Sequence, residues 1–206
     1  MDLPSKIIQS VKLIFATNNK HKLEELRLAT GSNLEILSLE DVGILKEIPE
    51  PFDSLKENAR VKAKTIHELS GGENCFSEDT GLEVDALGGE PGVHSARYAG
   101  EPVSYSNNTR KLLRALTDLS NRRARFVTVI CGIIGGREYF FEGRCEGQIL
   151  RAATGNTGFG YDPVFMPDGS NKSFAEMSTE EKNIFSHRRK AVDLLIAFLN
   201  TGRIQS

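Results

Sequence analysis

The sequence predicts an α/β fold built on a mixed sheet, and three observations carry that expectation. Strand-like and helix-like segments alternate over residues 11–69. Two long β-branched and aromatic runs, Ala124 to Ile134 and Glu138 to Leu150, flank Gly135-Gly136, a strong hairpin signal. The 206 residues are 39% hydrophobic, enough for the well-packed core of one domain with room for two lobes. A hairpin added to a β-α-β start makes the sheet mixed rather than purely parallel. The expected organisation is one domain over residues 1–206, with about residues 1–10 a disordered or loosely held N-terminal extension.

Val11 to Ala16 is a short apolar run and reads as a buried strand. Thr17-Asn18-Asn19 breaks it with turn and N-cap residues. Lys22 to Ala29 follows as a helix with Leu23 and Leu26 on one face, and Leu34 to Leu39 as a second strand. Asp41 to Phe52 contains Gly43, Pro49 and Pro51 and reads as irregular. Ser54 to Leu69 has Leu55, Ala59, Ala63 and Ile66 in helical register, with Gly71-Gly72 as the stop. Cys75 to Leu87 is expected to hold two short strands around Thr80-Gly81, followed by a glycine-rich loop from Gly88 to Gly100. Asn107 to Leu119 reads as helix, Thr154 to Tyr161 as a second glycine-rich loop, and Pro163 to Met166 as extended. Glu180 to Leu199 is expected to be one long final helix.

Composition narrows the function classes. Lys plus Arg total 26 against 28 Asp plus Glu, a net charge of -2, so neither overall charge nor a basic run points to nucleic acid. Cys75, Cys131 and Cys145 are odd in number and widely spaced. They suggest neither a disulfide framework nor a zinc site and fit a reducing, cytoplasmic setting. No apolar stretch approaches the ~20 residues that span a bilayer, and no signal-like segment is evident.

Five segments and one helix lysine carry candidate chemistry. In Ser77 to Gly89, the carboxylates Glu78, Asp79, Glu83 and Asp85 fall within eight residues. Placed at a strand end or turn, Asp79 and Thr80 suit a Mg²⁺ ion and an activated water; a solvated acidic hairpin is the alternative. Thr17 to Lys22 joins the first strand to the first helix, where helix N–H groups attract phosphate. Thr17, Asn18 and Asn19 offer hydrogen bonds and Lys20, His21 and Lys22 a basic flank, yet the same residues make an ordinary helix cap with surface lysines. No Walker A pattern is present. Glu47, Glu50 and Asp53 lie in the proline-interrupted loop, where one could join the metal or all could be solvated. Lys62 interrupts an apolar helix face four residues after Asn58, so it either reaches the same site or snorkels to solvent.

In Thr157 to Pro163, glycines on both sides of Phe159 allow close backbone approach, and the ring either stacks on a base or fills the core. In the last helix Arg188 suits bidentate phosphate contact and His187 a base edge or phosphate, with Lys182 nearby. A plain basic helix face is the alternative there. Together, carboxylates, lysines, an aromatic loop and Arg188 have the makings of a nucleotide-triphosphate site.

The blocks FATNNKHKLEEL, ENARVKA, SEDTGLEVDALGGEPGVHSARYAG, GFGYDPVF and EKNIFSHRRKA, in this order and spacing from about Leu13 to Leu199, resemble the inosine/xanthosine triphosphate pyrophosphatase family. The resemblance implies an elongated two-lobed α/β domain with the active site in the cleft between the lobes. It implies hydrolysis of dITP, ITP and XTP to the monophosphate and pyrophosphate, with Mg²⁺, in a homodimer. Carried over by motif, Thr17, Asn18, Asn19, Lys20, His21 and Lys22 would bind the triphosphate. Asp79 would be proton acceptor and Mg²⁺ ligand, Glu50 would share the metal, and Lys62 would lie close to the phosphates. Thr80, Gly160, Tyr161, Asp162, Lys182, His187 and Arg188 would contact substrate, with Phe159 stacking on the base. Where this chain has Glu78-Asp79-Thr80, many bacterial members have two aspartates followed by serine, which leaves the division of labour between Glu78 and Asp79 open. Other possibilities are a Maf-like pyrophosphatase of modified pyrimidine nucleotides, against which the SHR and GFGYD blocks speak, and a non-catalytic nucleotide-binding regulator.

Overall fold

The structure, a computed structural model, describes residues 11–19, 22–24, 26–27, 34–46 and 48–201. The expected N-terminal extension, and the candidate residues Lys20, His21 and Glu47, lie outside the described residues. The described residues form a seven-stranded sheet. β1 (Val11–Phe15) pairs in parallel with β2 (Leu34–Leu37) and with β3 (Cys75–Val84). β3 then pairs antiparallel with β5 (Arg123–Ile134), β5 with β6 (Arg137–Ile149), and β6 with β7 (Phe165–Pro167). The short β4 (Pro91–Gly92) also pairs with β3. The expected mixed sheet is therefore present. Gly135 and Gly136 make the predicted hairpin, both with positive φ, the backbone that two-residue hairpin turns demand.

The helices are α1 (Leu55–Leu69), α2 (Tyr105–Ala115), α3 (Thr179–Phe185) and α4 (His187–Leu199), and residues 22–24 and 26–27 are also helical. No helix among the described residues is long and apolar enough to cross a membrane. The apolar core divides between two lobes strung along the long strands. At one end α4 packs on one sheet face through Ala191, Val192 and Leu195 against Phe15, Phe76 and Ile130. On the opposite face α1 packs through Ala59, Ala63 and Ile66 against Ile14, Cys75 and Cys131. At the other end Leu82, Val84, Leu112, Phe126, Phe165 and Phe174 form a separate core. All three cysteines are free and buried.

Four expectations are corrected, one of them at Pro163 to Met166, where Asp162–Val164 is a 3₁₀ turn and the strand is Phe165–Pro167. Cys75 to Leu87 is not a pair of short strands: β3 runs unbroken through Thr80 and Gly81, and Asp85–Leu87 is a 3₁₀ turn. Gly81 is not a turn residue. A Cβ there would lie 2.6 Å from the Gly92 carbonyl oxygen, so the glycine admits the β4 backbone. Asp79 and Thr80 are accordingly mid-strand. The final helix is also two helices. Ser186 leaves helical geometry (φ -53°, ψ 122°), ends α3, and caps α4 by accepting a hydrogen bond from the Arg189 N–H at 3.2 Å. The helix expected from Asn107 starts at Tyr105 because Ser104 caps it, and its last turn ends at Ala115.

Candidate active site

Because β3 is continuous, its side chains alternate between the two sheet faces. Cys75, Ser77 and Asp79 face α1: Cys75 Sγ contacts the Ala63 carbonyl at 3.3 Å, and the Ser77 hydroxyl donates to the Ala59 carbonyl. Phe76, Glu78 and Thr80 face the α4 side. The adjacent carboxylates of Glu78 and Asp79 are thus separated by the sheet and placed in different surroundings.

Glu78 is 2% exposed. Its oxygens accept from Arg188 Nε at 2.9 and 3.0 Å, and Lys22 Nζ lies 3.1 Å away. Burial alone would push its carboxyl up, but Arg188 and Lys22 outweigh that and bring it down to about 2. Glu78 is a firmly ionised carboxylate bound on two sides.

Asp79 is the opposite case. Burial raises its carboxyl above the ordinary range, with Glu50 adding to the effect and Lys62 opposing it. Oδ1 accepts from the Thr80 N–H at 3.0 Å and lies 3.8 Å from Lys62 Nζ. Oδ2 is buried without a hydrogen-bond partner among the described residues. An unpartnered buried carboxylate oxygen is costly in a native fold, so this atom is suited to accept a ligand.

Lys62 does not snorkel. Its ammonium donates to the Glu78 carbonyl at 2.7 Å and to the Glu50 carboxylate. Burial would raise the Glu50 carboxyl, but Lys62, with Lys22 and Arg97, lowers it overall. Asn58 makes two hydrogen bonds of 2.9 Å to the backbone N–H and C=O of Phe52, which ties down the loop that carries Glu50. Asp53, Glu83 and Asp85 line a different cavity. Glu83 and Asp85 pair with Arg125 at 2.8 and 3.3 Å.

Thr17 and Asn19 shape the β1 loop. The Asn19 N–H donates to Thr17 Oγ1 at 3.1 Å, and Asn19 Oδ1 accepts from the Lys22 N–H at 3.2 Å. This cap aims Lys22 into the interior. A cavity lined by Thr17, Asn18, Asn19, Lys22, Glu50 and Lys62 opens here. An adjoining cavity shares Asn19 and Lys22 and is lined further by Thr80, Phe159, Gly160, Tyr161, Asp162, Lys182, His187 and Arg188. One side is lysine-rich and the other aromatic.

The aromatic wall is built by the loop after β6. Asp162 Oδ2 accepts from the Phe159 N–H at 2.9 Å and from Lys182 Nζ at 2.8 Å. Gly158 (φ 79°) makes this turn possible, since a Cβ there would sit 2.3 Å from that same oxygen. Lys182 Nζ lies 5.0 Å from the Phe159 ring centroid. The Tyr161 hydroxyl donates to the Ser95 carbonyl at 2.9 Å. His187 stacks on Phe126 with centroids 4.7 Å apart. Burial, reinforced by Arg188 and Lys182, holds its imidazole well below the ordinary value and so neutral, and its Nδ1 has no partner among the described residues. Apart from Asp53, Glu83 and Asp85, the described candidates converge on these two cavities, with Asp79 beside them through Lys62.

Several supporting residues were not evident in the sequence. Thr128 shares a 2.7 Å hydroxyl contact with Thr80 and is its cross-strand partner. Phe126 and Tyr105 line the aromatic cavity. At Gly143 in β6 a Cβ would lie 2.1 Å from the His187 carbonyl oxygen and 2.6 Å from the Ala191 nitrogen, so the α4 backbone rests directly on the sheet there. A glycine inside an otherwise strand-like run is the signal that could have revealed it.

The Ham1 family model matches residues 13–198. The chain belongs to the Ham1 family. The resemblance read from the ordered motifs thus holds across nearly the whole chain. A relative from Flavobacterium johnsoniae named dITP/XTP pyrophosphatase is 48% identical over 94% of this chain and 100% of its own length. One of the same name from Porphyromonas gingivalis is 52% identical over 91% of this chain and 97% of its own. Among solved Ham1 structures, the Staphylococcus aureus Ham1 protein superposes with a TM-score of 0.85 at 35% identity, over 93% of this chain and 100% of that one. A HAM1 protein from Coxiella burnetii gives 0.86 at 31% identity, with the same coverage.

Proposed function

We propose that the chain hydrolyses deaminated purine nucleoside triphosphates, dITP, ITP and XTP, to the monophosphate and pyrophosphate, clearing them from the nucleotide pool. The observation that carries this reading is the pair of adjoining cavities, one lysine-lined and one aromatic-lined, joined at Asn19 and Lys22. The names of the Flavobacterium and Porphyromonas relatives support the substrate class. The triphosphate lies along Thr17 to Asn19, Lys22 and Lys62, and the base lies against Phe159.

Asp79 and Glu50 fit a Mg²⁺ ion, since the orphaned Asp79 oxygen needs a partner and Mg²⁺ takes only one or two carboxylates beside substrate phosphates. When bound, the ion neutralises phosphate charge. Asp79, its carboxyl raised by burial, orients the attacking water and accepts its proton. Water adds to the α-phosphorus, and the bond to the β-phosphate oxygen breaks, releasing pyrophosphate. Lys62 holds the Glu50 loop close and offsets charge on the phosphates, so positioning and electrostatics do most of the work. Glu78 supports rather than reacts: it fixes Lys22 and Arg188 at the junction of the two cavities.

Neutral His187 and Arg188 offer donors toward the base edge. A purine 6-oxo group satisfies them, whereas the 6-amino group of adenine leaves them unpaired. The protein is read as a single domain that acts as a cytoplasmic homodimer, with no nucleic-acid or membrane partner. Light scattering on the purified protein tests the dimer. The decisive assay incubates the protein and Mg²⁺ with dITP, XTP, dATP, dGTP and dTTP and identifies the products. Pyrophosphate and monophosphate from dITP and XTP are expected. Turnover confined to modified pyrimidine nucleotides would favour a Maf-like activity, and binding without turnover a regulator.

A further inference from the structure

The loop that carries Glu50 holds a lysine that no motif singles out. Ile44 and Ile48 pack against the core on the α1 face, while Leu45 between them is 83% exposed. The segment is therefore anchored on both sides of Lys46. Lys46, Ile48 and Glu50, spaced at the extended-chain period of two, all line the lysine-rich cavity. Lys46 does not line the aromatic cavity.

Its electrostatic position differs from that of its neighbours. Lys22 is paired with Glu78 at 3.1 Å, and Lys62 is hydrogen-bonded to Glu50 and to the Glu78 carbonyl. Lys46 is exposed and makes no hydrogen bond or ion pair among the described residues. Among the described residues, the other charged side chains lining this cavity are Lys22 and Lys62 against Glu50 and Glu78, which cancel. An uncommitted cation on a tethered strap is what a cavity needs to draw in an anion more highly charged than its own paired groups can neutralise.

We propose that Lys46 binds the end of the triphosphate farthest from the base, the part that leaves as pyrophosphate. The inference rests on the nucleoside-triphosphate reading above and adds a phosphate contact to it. Lys46→Ala, Lys46→Arg and the parent are compared for KM with dITP and for inhibition by each product, pyrophosphate and dIMP. In Lys46→Ala the KM for dITP and the inhibition constant of pyrophosphate are expected to rise about three- to tenfold, the span of one partly solvated charge-assisted contact. The inhibition constant of dIMP should stay within about twofold, because dIMP lacks the distal phosphates. Lys46→Arg should keep most of the pyrophosphate affinity. Unchanged pyrophosphate inhibition in Lys46→Ala, or an equal loss for dIMP, would overturn the proposal. A parent enzyme that neither hydrolyses dITP nor binds pyrophosphate would instead overturn the functional reading itself.

Discussion

Replacing Glu78 by glutamine keeps the volume of the side chain and removes its charge. Arg188, 5% exposed, would then be left as a buried cation facing a neutral amide. Two independent routes give the cost. A carboxyl that ordinarily titrates at 4.5 and is brought to about 2 in the fold contributes about 3 kcal/mol at neutral pH, at about 1.4 kcal/mol per pH unit. Truncating one partner of a buried ion pair typically costs about 3–5 kcal/mol. The two agree near about 3 kcal/mol, a large share of the roughly 5–15 kcal/mol that holds a domain folded. In a chain of this size that amounts to roughly 6–12 °C in Tm.

The pH dependence follows from the sign of the shift. The folded carboxyl titrates below the unfolded one, so its contribution is complete above about pH 5 and is lost as pH falls toward 2. Urea unfolding of parent and Glu78→Gln at pH 7 and at pH 3 is the assay. The stability gap should shrink by about 2 kcal/mol between those two values. Other titrating groups are common to both proteins and cancel in the difference. A variant as stable as the parent at pH 7, or a gap that stays constant down to pH 3, would show that the Glu78–Arg188 pair does not stabilise the fold.

Two further substitutions separate chemistry from scaffolding. Asp79→Asn should lower turnover of dITP by about 10²–10⁴-fold while leaving the melting temperature within a few degrees. Near-parental turnover would remove Asp79 from the mechanism. Gly143→Ala should lift α4 from the sheet, since its new Cβ would meet the His187 carbonyl oxygen at 2.1 Å. A loss of about 1–3 kcal/mol in unfolding free energy and a fall in kcat/KM are expected, and unchanged kinetics would show that the seating of α4 does not position His187 and Arg188.

Much of the site was legible in the sequence because its residue types are poor choices for anything else. A lysine on an apolar helix face and a phenylalanine between two glycines both needed a purpose, and both line the cavities. The strand and hairpin of residues 124–150 followed from β-branched content and the Gly135-Gly136 turn. What escaped was decided by contacts distant in sequence. Gly81 looked like a turn because the approach of Gly92 is invisible locally, and that error moved Asp79 to a strand end. With β3 continuous, alternation places Glu78 and Asp79 on opposite faces, and this explains why one carboxylate is ion-paired and the other orphaned. Ser186 was absorbed into a single helix because its neighbours are good helix formers, although serine is also a preferred N-cap. Thr128 carried no local signal, since a threonine in a β-strand is unremarked until its partner Thr80 is known.

Water, oriented by Asp79, is expected to attack the α-phosphorus of a deaminated purine nucleoside triphosphate. Hydrolysis of dITP in heavy-oxygen water, followed by mass spectrometry of both products, tests it directly. One heavy oxygen is expected in dIMP and none in pyrophosphate. Label in pyrophosphate, or release of orthophosphate, would contradict it.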